Sequence, residues 1–137
     1  MSEKKPRKPL PRVDEENKWF WEAASRHELY VQKCGGCGTV RFYPRALCPE
    51  CLSSDTEYVR CSGRGRVHTF TVTHQNQAPG FRGELPYVMA YVELDEGPRL
   101  LTNVVGSKPE EMRIGMPVVV EFEDVEDGMS LPKFRKA

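Results

Sequence analysis

A mainly β fold is what this sequence predicts: one N-terminal helix, a small metal-stapled module and then a five-stranded barrel. Three observations predict it. Two C-x-x-C pairs, Cys34/Cys37 and Cys48/Cys51, stand with ten residues between them. After residue 61 the apolar residues fall in short alternating runs broken by glycine and proline. The single helical pattern, with Trp19, Phe20 and Trp21 in succession, precedes both.

The first 13 residues carry Lys4, Lys5, Arg7, Lys8 and Arg12 among prolines 6, 9 and 11. Prolines so close exclude a helix, so residues 1–13 form an extended basic arm, either a solvated tail or a strap along a partner. Asp14 caps the helix that follows, and Glu15 and Glu16 suit the dipole of its first turn. The helix extends to about His27. Its apolar arc, Trp19, Phe20, Trp21, Ala23 and Ala24, is about twice what one buried face needs. The helix therefore touches either two modules of its own chain or its own module and a partner.

Residues 28–33 and 39–43 alternate as a hairpin around the first cysteine pair. Glycines 35, 36 and 38 suit a tight knuckle, and Pro49 presets a turn in the second. Four thiolates from two knuckles close a tetrahedron around zinc. A disulfide or a redox C-x-x-C accounts less well for a motif in duplicate at this spacing. Phe42, Tyr43 and Leu47 are expected to pad the site, and so small a module needs the metal to fold. Residues 14–61 thus read as a helix and a rubredoxin-like zinc ribbon. Cys61, outside the motif, reads as a buried structural thiol.

Residues 61–66, with two glycines, form the hinge to the barrel of residues 62–137. Strands are predicted at 67–74, 87–94, 99–105, 117–125 and 131–135, with a long loop at 75–86 that exposes Phe81. A helical turn at 109–112 joins the third strand to the fourth. Five strands with that connection match an OB-fold.

The motif order resembles a family of acyl-CoA-associated proteins that join a zinc ribbon to an OB-fold, long catalogued as a domain of unknown function. The residues that carry the resemblance are Phe20-Trp-Glu-Ala23, the doubled C-x-x-C, Gly63-Arg-Gly65 and Pro86-Tyr-Val88. Val92-Glu-Leu-Asp-Glu-Gly97, Leu100-Leu-Thr-Asn103, Arg113-Ile-Gly-Met116 and Leu131-Pro-Lys-Phe134 complete it. It covers residues 14–136. The resemblance implies an accessory subunit whose thiolase-like or aldolase-like partner holds the catalytic residues, while the zinc and OB protein stabilises it and helps shape the acyl-CoA channel. Some relatives serve acyl-CoA hydratases instead.

Catalytic motifs are thin. The chain has no P-loop, nucleophile elbow or H-E-x-x-H, and a four-thiolate zinc leaves no position for water. His68 and His74, an even number of residues apart, are expected on one side of the first barrel strand, more as hydrogen-bonding groups than as a base. The rival function is single-stranded nucleic-acid binding, common to OB-folds and zinc ribbons. It needs a basic groove, yet residues 62–137 hold nine Lys and Arg against eleven Asp and Glu. Arg64, Arg66 and Arg82 are expected to gather at one end of the barrel, where they suit one CoA diphosphate rather than a polymer, and with Phe81 of the 75–86 loop they are the expected acyl-CoA contacts. No apolar run is long enough to span a membrane, and the first thirty residues lack a signal peptide's apolar core. Four cysteines given to a metal fit a reducing compartment, so the cytoplasm is expected.

Overall fold

Asp14 does cap a turn, but the helix proper begins later. Its Oδ1 accepts the backbone N–H groups of Glu16 and Asn17, both at 2.9 Å, and so orders a leading turn. Helix α1 then spans Lys18–Ser25. The computed structural model describes residues 8–137, so the first part of the predicted arm, residues 1–7, lies outside the described residues. Residues 8–13 have neither helix nor strand, and Lys8 and Leu10 lie beside this chain's own barrel. Lys8 pairs with Glu84, and its ammonium sits 5.1 Å from the centre of the Phe81 ring.

Strands β1 (Tyr30–Cys34), β2 (Val40–Arg41) and β3 (Thr56–Arg60) form an antiparallel sheet in the order β2-β1-β3. The sequence reading missed β3. All of its residues are at least partly exposed, so it lacks the buried alternation that marks a strand. Strands β4 (Arg64–Thr73), β5 (Tyr87–Leu94), β6 (Arg99–Val105), β7 (Pro117–Asp124) and β8 (Ser130–Lys136) close a barrel in the order β4-β5-β6-β8-β7. A parallel pairing of β6 with β8, Val104 opposite Phe134, completes the OB-fold.

Two expectations about the first barrel strand need correction. Residues 64–66 are strand rather than hinge. Gly65 pairs with Leu94 on one side and Val118 on the other, and a Cβ there would lie 2.6 Å from the Glu93 carbonyl oxygen. The glycine serves close backbone approach at the barrel seam. Secondly, the pairing of β4 with β5 shifts register between Val67 and Thr69, a bulge that holds His68. An extra residue breaks the period of two, so the even spacing of His68 and His74 no longer places them on one face. His74 also falls beyond the strand's end, and both histidines are exposed.

Helix α1 is wedged between the modules. Phe20 packs edge-on against Phe42 of the ribbon at 5.5 Å and shares one core with Leu29, Val31, Val92 and Phe134. Trp19 leans on Tyr58 at 4.8 Å. The wide aromatic arc thus has two surfaces within its own chain.

At the helix's C-terminal end, the His27 Nε2 lies 2.7 Å from Asp124 Oδ1, and the Ser130 hydroxyl donates to the same oxygen at 2.5 Å. Both groups share one carboxylate oxygen and form no serine–histidine bond, so this is a clamp between helix and barrel, not a catalytic triad. The Ser130 hydroxyl, and then His27, hold the Asp124 carboxyl below its ordinary 3.8. A carboxylate depressed in the folded state stabilises the fold above its unfolded pKa and loses that contribution as pH falls through the lower folded value. The Asp124→Asn variant is accordingly expected to be less stable than the parent above about pH 4. In stability curves recorded against pH, the gap should close on acidification. A gap that widened in acid would refute the clamp.

Candidate metal centre and ligand-facing surfaces

The two knuckles are built alike. Gly38 N–H donates to the Cys34 carbonyl at 2.9 Å, and Leu52 N–H to the Cys48 carbonyl at 2.8 Å. Each of these donors takes a left-handed backbone, with φ of 80° at Gly38 and 64° at Leu52. Glycine bears that conformation freely, whereas leucine does so at a cost of about 1 kcal/mol. Amide groups of Gly36 and Cys37 point at the Cys34 sulfur from 3.3 and 3.4 Å.

All four sulfurs lie within 4.8 Å of one another. Cys34 Sγ is 3.5 Å from Cys51 Sγ, and Cys37 Sγ is 3.7 Å from Cys48 Sγ. A Zn–S bond of about 2.3 Å gives a tetrahedron edge of about 3.8 Å, whereas a disulfide needs about 2.05 Å. The cradle therefore fits a four-thiolate zinc ion. Its electrostatics agree. The Cys37 amide, opposed by burial and aided by the Gly36 amide, holds the Cys34 thiol down to about 6. The Ser53 amide favours a Cys51 thiolate too, but the crowding Cys34 and Cys37 sulfurs push that thiol up to about 12. Adjacent sulfurs cannot all ionise without a cation to offset their charge.

Around this centre the padding differs from expectation. Phe42 turns inward to Phe20, while Tyr43 and Leu47 are half-exposed, at 50% and 51%. Strand β2 ends at Arg41, so both lie beyond it.

Cys61 is buried, as expected. Burial, reinforced by the Glu96 carboxylate beside it, pushes its thiol up to about 12. A disulfide-exchange reagent is therefore expected to find no reactive thiol in the zinc-loaded protein, four after chelation and the fifth only on unfolding. Reaction at Cys61 in the native protein would overturn its assignment as an inert core group.

Arg64, Arg66 and Arg82 do not gather at one end. Arg64 and Arg66 begin β4, where Arg66 Nη1 donates to the Gly115 carbonyl at 3.2 Å. They stand beside residues 117–119 at the start of β7, whereas Arg82, in the loop that holds Phe81, stands beside residues 123–126 at its other end. Phe81 is partly covered, with Tyr87 6.0 Å from it, and Arg82 Nε donates to the Gln77 carbonyl at 2.8 Å. A large cleft between this loop and residues 123–126 is walled by Glu84, Glu123, Asp124 and Glu126 against Lys8 and Arg82. That surplus of acid repels a polyanion.

Two smaller hollows went unread in the sequence. A crevice of about 320 Å³ opens between α1, the ribbon and the barrel, lined by Trp21, Phe42, Tyr43, Leu101 and Pro132 among others. A cavity of about 230 Å³ lies beside Phe81, Tyr87 and Ser107. The signal was Leu100-Leu101: a strand that alternates elsewhere places Leu101 outward, where it is 43% exposed beside its cross-strand neighbour Tyr91.

Residues 21–57 match the family described as ChsH2, rubredoxin-like zinc ribbon domain, and residues 58–123 match ChsH2, C-terminal OB-fold domain. A DUF35 domain-containing scaffold protein of Methanocaldococcus jannaschii is 41% identical over 110 residues, spanning 76% of this chain and 77% of that protein. This chain belongs to the DUF35 family. The DUF35 chain is also 41% identical over 139 residues to a probable enoyl-CoA hydratase alpha subunit of Thermomonospora curvata, of whose length it spans only 43%. Benzoylsuccinyl-CoA thiolase subunit BbsA of Thauera aromatica is 32% identical over 109 residues, 76% of this chain and 73% of BbsA. A solved chain described as Ltp2-ChsH2(DUF35) aldolase superposes with a TM-score of 0.84 at 40% identity, covering 93% of this chain and 98% of that one.

Proposed function

We propose that this DUF35 chain is a non-catalytic, zinc-stabilised accessory subunit of an acyl-CoA-processing complex. It docks on a thiolase- or aldolase-like enzyme that makes or breaks carbon–carbon bonds, and it helps shape the acyl-CoA site. What supports this most is the near full-length fit to the chain of an Ltp2-ChsH2(DUF35) aldolase, joined to a metal centre whose four thiolates leave no open position. The name of the Thauera thiolase subunit points the same way. The zinc, on this reading, is structural and the compartment reducing, as in a cytoplasm.

Phe81 and Arg82 are the proposed acyl-CoA contacts of this chain. Arg64 and Arg66, at the opposite end of β4, cannot complete the same diphosphate contact. A second reading, an accessory chain of an acyl-CoA hydratase, draws on the Thermomonospora relative. Both are tested by co-expression with a thiolase-like or a hydratase-like protein of the same organism, size-exclusion chromatography and acyl-CoA turnover. Co-elution with cleavage that needs both chains is the expected result, hydration that needs both would select the second reading, and a lone monomer would end both. Binding of a single-stranded oligonucleotide by that monomer would revive the nucleic-acid alternative.

A further inference from the structure

We propose that the crevice under Trp21 and the cavity beside Phe81 form one amphipathic track for an acyl thioester, the acyl group in the crevice and an uncharged, amide-bearing arm in the cavity. This rests on the acyl-CoA reading above and goes beyond it by placing each part of the ligand. The two hollows share Asn103 and Lys133 in their linings, so they adjoin at those residues. Their walls differ in kind. The crevice is faced by Trp21, Phe42, Leu101 and Pro132, and its polar neighbours are already engaged: Thr102 Oγ1 donates to the Pro132 carbonyl at 2.9 Å, and Asn103 Nδ2 to the Val88 carbonyl at 3.0 Å. A mainly apolar wall of this size takes a hydrocarbon group.

The cavity mixes polar and apolar walls and is nearly neutral. Of its two lysines, Lys8 pairs with Glu84 and Lys133 with Glu123, so neither offers a free charge to a phosphate. Ser107 and the backbone of residues 105–107 suit a neutral chain of amides, and the Tyr87 hydroxyl, which accepts from Asn76 Nδ2 at 3.0 Å, keeps its own proton to donate. The cavity also shares Lys8 and Glu84 with the large cleft that holds Arg82. No carboxylate among the described residues pairs with Arg82, which leaves its guanidinium to meet charge where the arm emerges. An apolar end and a nearly neutral middle follow one another along the surface, and the arm emerges beside the Arg82 guanidinium in a cleft otherwise acidic. An acyl thioester of a pantetheine-type arm has that order.

The test uses the full chain loaded with zinc and three probes: octanoyl-pantetheine, octanoyl-CoA and pantetheine. Binding is read by calorimetry and by tryptophan fluorescence, since Trp21 lines the crevice. The octanoyl probes should bind saturably, and pantetheine roughly tenfold or more weakly. Leu101→Asp, at a half-exposed position, should weaken the octanoyl probes by about tenfold or more with zinc content and melting temperature unchanged. Ser107→Trp should do the same by filling the cavity. Absence of saturable binding, equal binding of pantetheine, or wild-type affinity in both variants would each overturn the track. Loss of partner co-elution in Leu101→Asp would overturn it too, by making the crevice a docking surface for protein. The accessory role fails separately: wild-type protein that binds the probes but neither co-elutes with nor activates the enzyme would remove that reading alone.

Discussion

Replacing Cys48 by serine is expected to cost the protein its zinc and the ribbon its fold, while the barrel stays folded. Cys48 is fully buried, and its sulfur lies 3.7 Å from that of Cys37, so a hydroxyl there removes one of four ligands from a closed shell. Structural zinc in such cradles supplies about 10–16 kcal/mol of apparent binding energy, which in so small a module is the folding energy. The three-stranded sheet has little to replace it, with β2 only two residues long and β3 wholly at least partly exposed. The barrel has its own core around Val92, Leu100 and Phe134. Metal analysis should find less than one zinc per chain, and limited proteolysis should cut within residues 34–60 and spare residues 64–136. A variant that kept stoichiometric zinc and a protected ribbon would show that three sulfurs suffice. Because Phe20, Leu29 and Val31 join the barrel core, the barrel should also melt a few degrees lower, by about 1–2 kcal/mol of lost packing.

Truncating Phe134 to alanine is expected to unfold the barrel at moderate denaturant while leaving zinc bound. Phe134 has no exposed surface and is paired through the backbone with Val104 and Val120, where the barrel closes in parallel on one side and antiparallel on the other. Removing a buried phenyl ring costs about 3–5 kcal/mol, a large part of the roughly 5–15 kcal/mol that holds a domain this size together. Phe134→Leu, which keeps most of the volume, should cost less than about 1.5 kcal/mol. Urea titrations of the two variants, followed by tryptophan fluorescence with zinc release monitored alongside, separate the modules. Equal midpoints for both variants would mean that the neighbouring strands close over the lost ring.

Much of the fold was legible because its signals are local. The C-x-x-C spacing names the ligands, since a knuckle places its own two sulfurs. Strands β5 and β6 begin and end where period-two alternation and the turns beside them put the boundaries. Helix α1 starts three to four residues later than its capping signal, because Asp14 orders a separate turn first. The site was less legible. An even spacing put His68 and His74 together, and one unpaired residue in the ladder undid it. Nearness in sequence grouped Arg64 and Arg66 with Arg82 as one basic patch, although a ten-residue strand separates them. Tyr43 and Leu47 looked like padding for the zinc, yet each is half-exposed.

The sequence by itself determined the zinc ligands, the order of helix, ribbon and barrel, and the bounds of β5 and β6. Those depend on turn chemistry, propensity and periodicity, which act over a few neighbouring residues. Only the tertiary structure decided that α1 is an internal wedge, that His27 meets Asp124 across 97 positions, and that Trp21, Phe42, Leu101 and Pro132 line one crevice. These depend on how barrel closure and helix packing bring distant segments to the same point. The free energy that fixes such meetings is shared among many contacts, and no short stretch of the chain contains it.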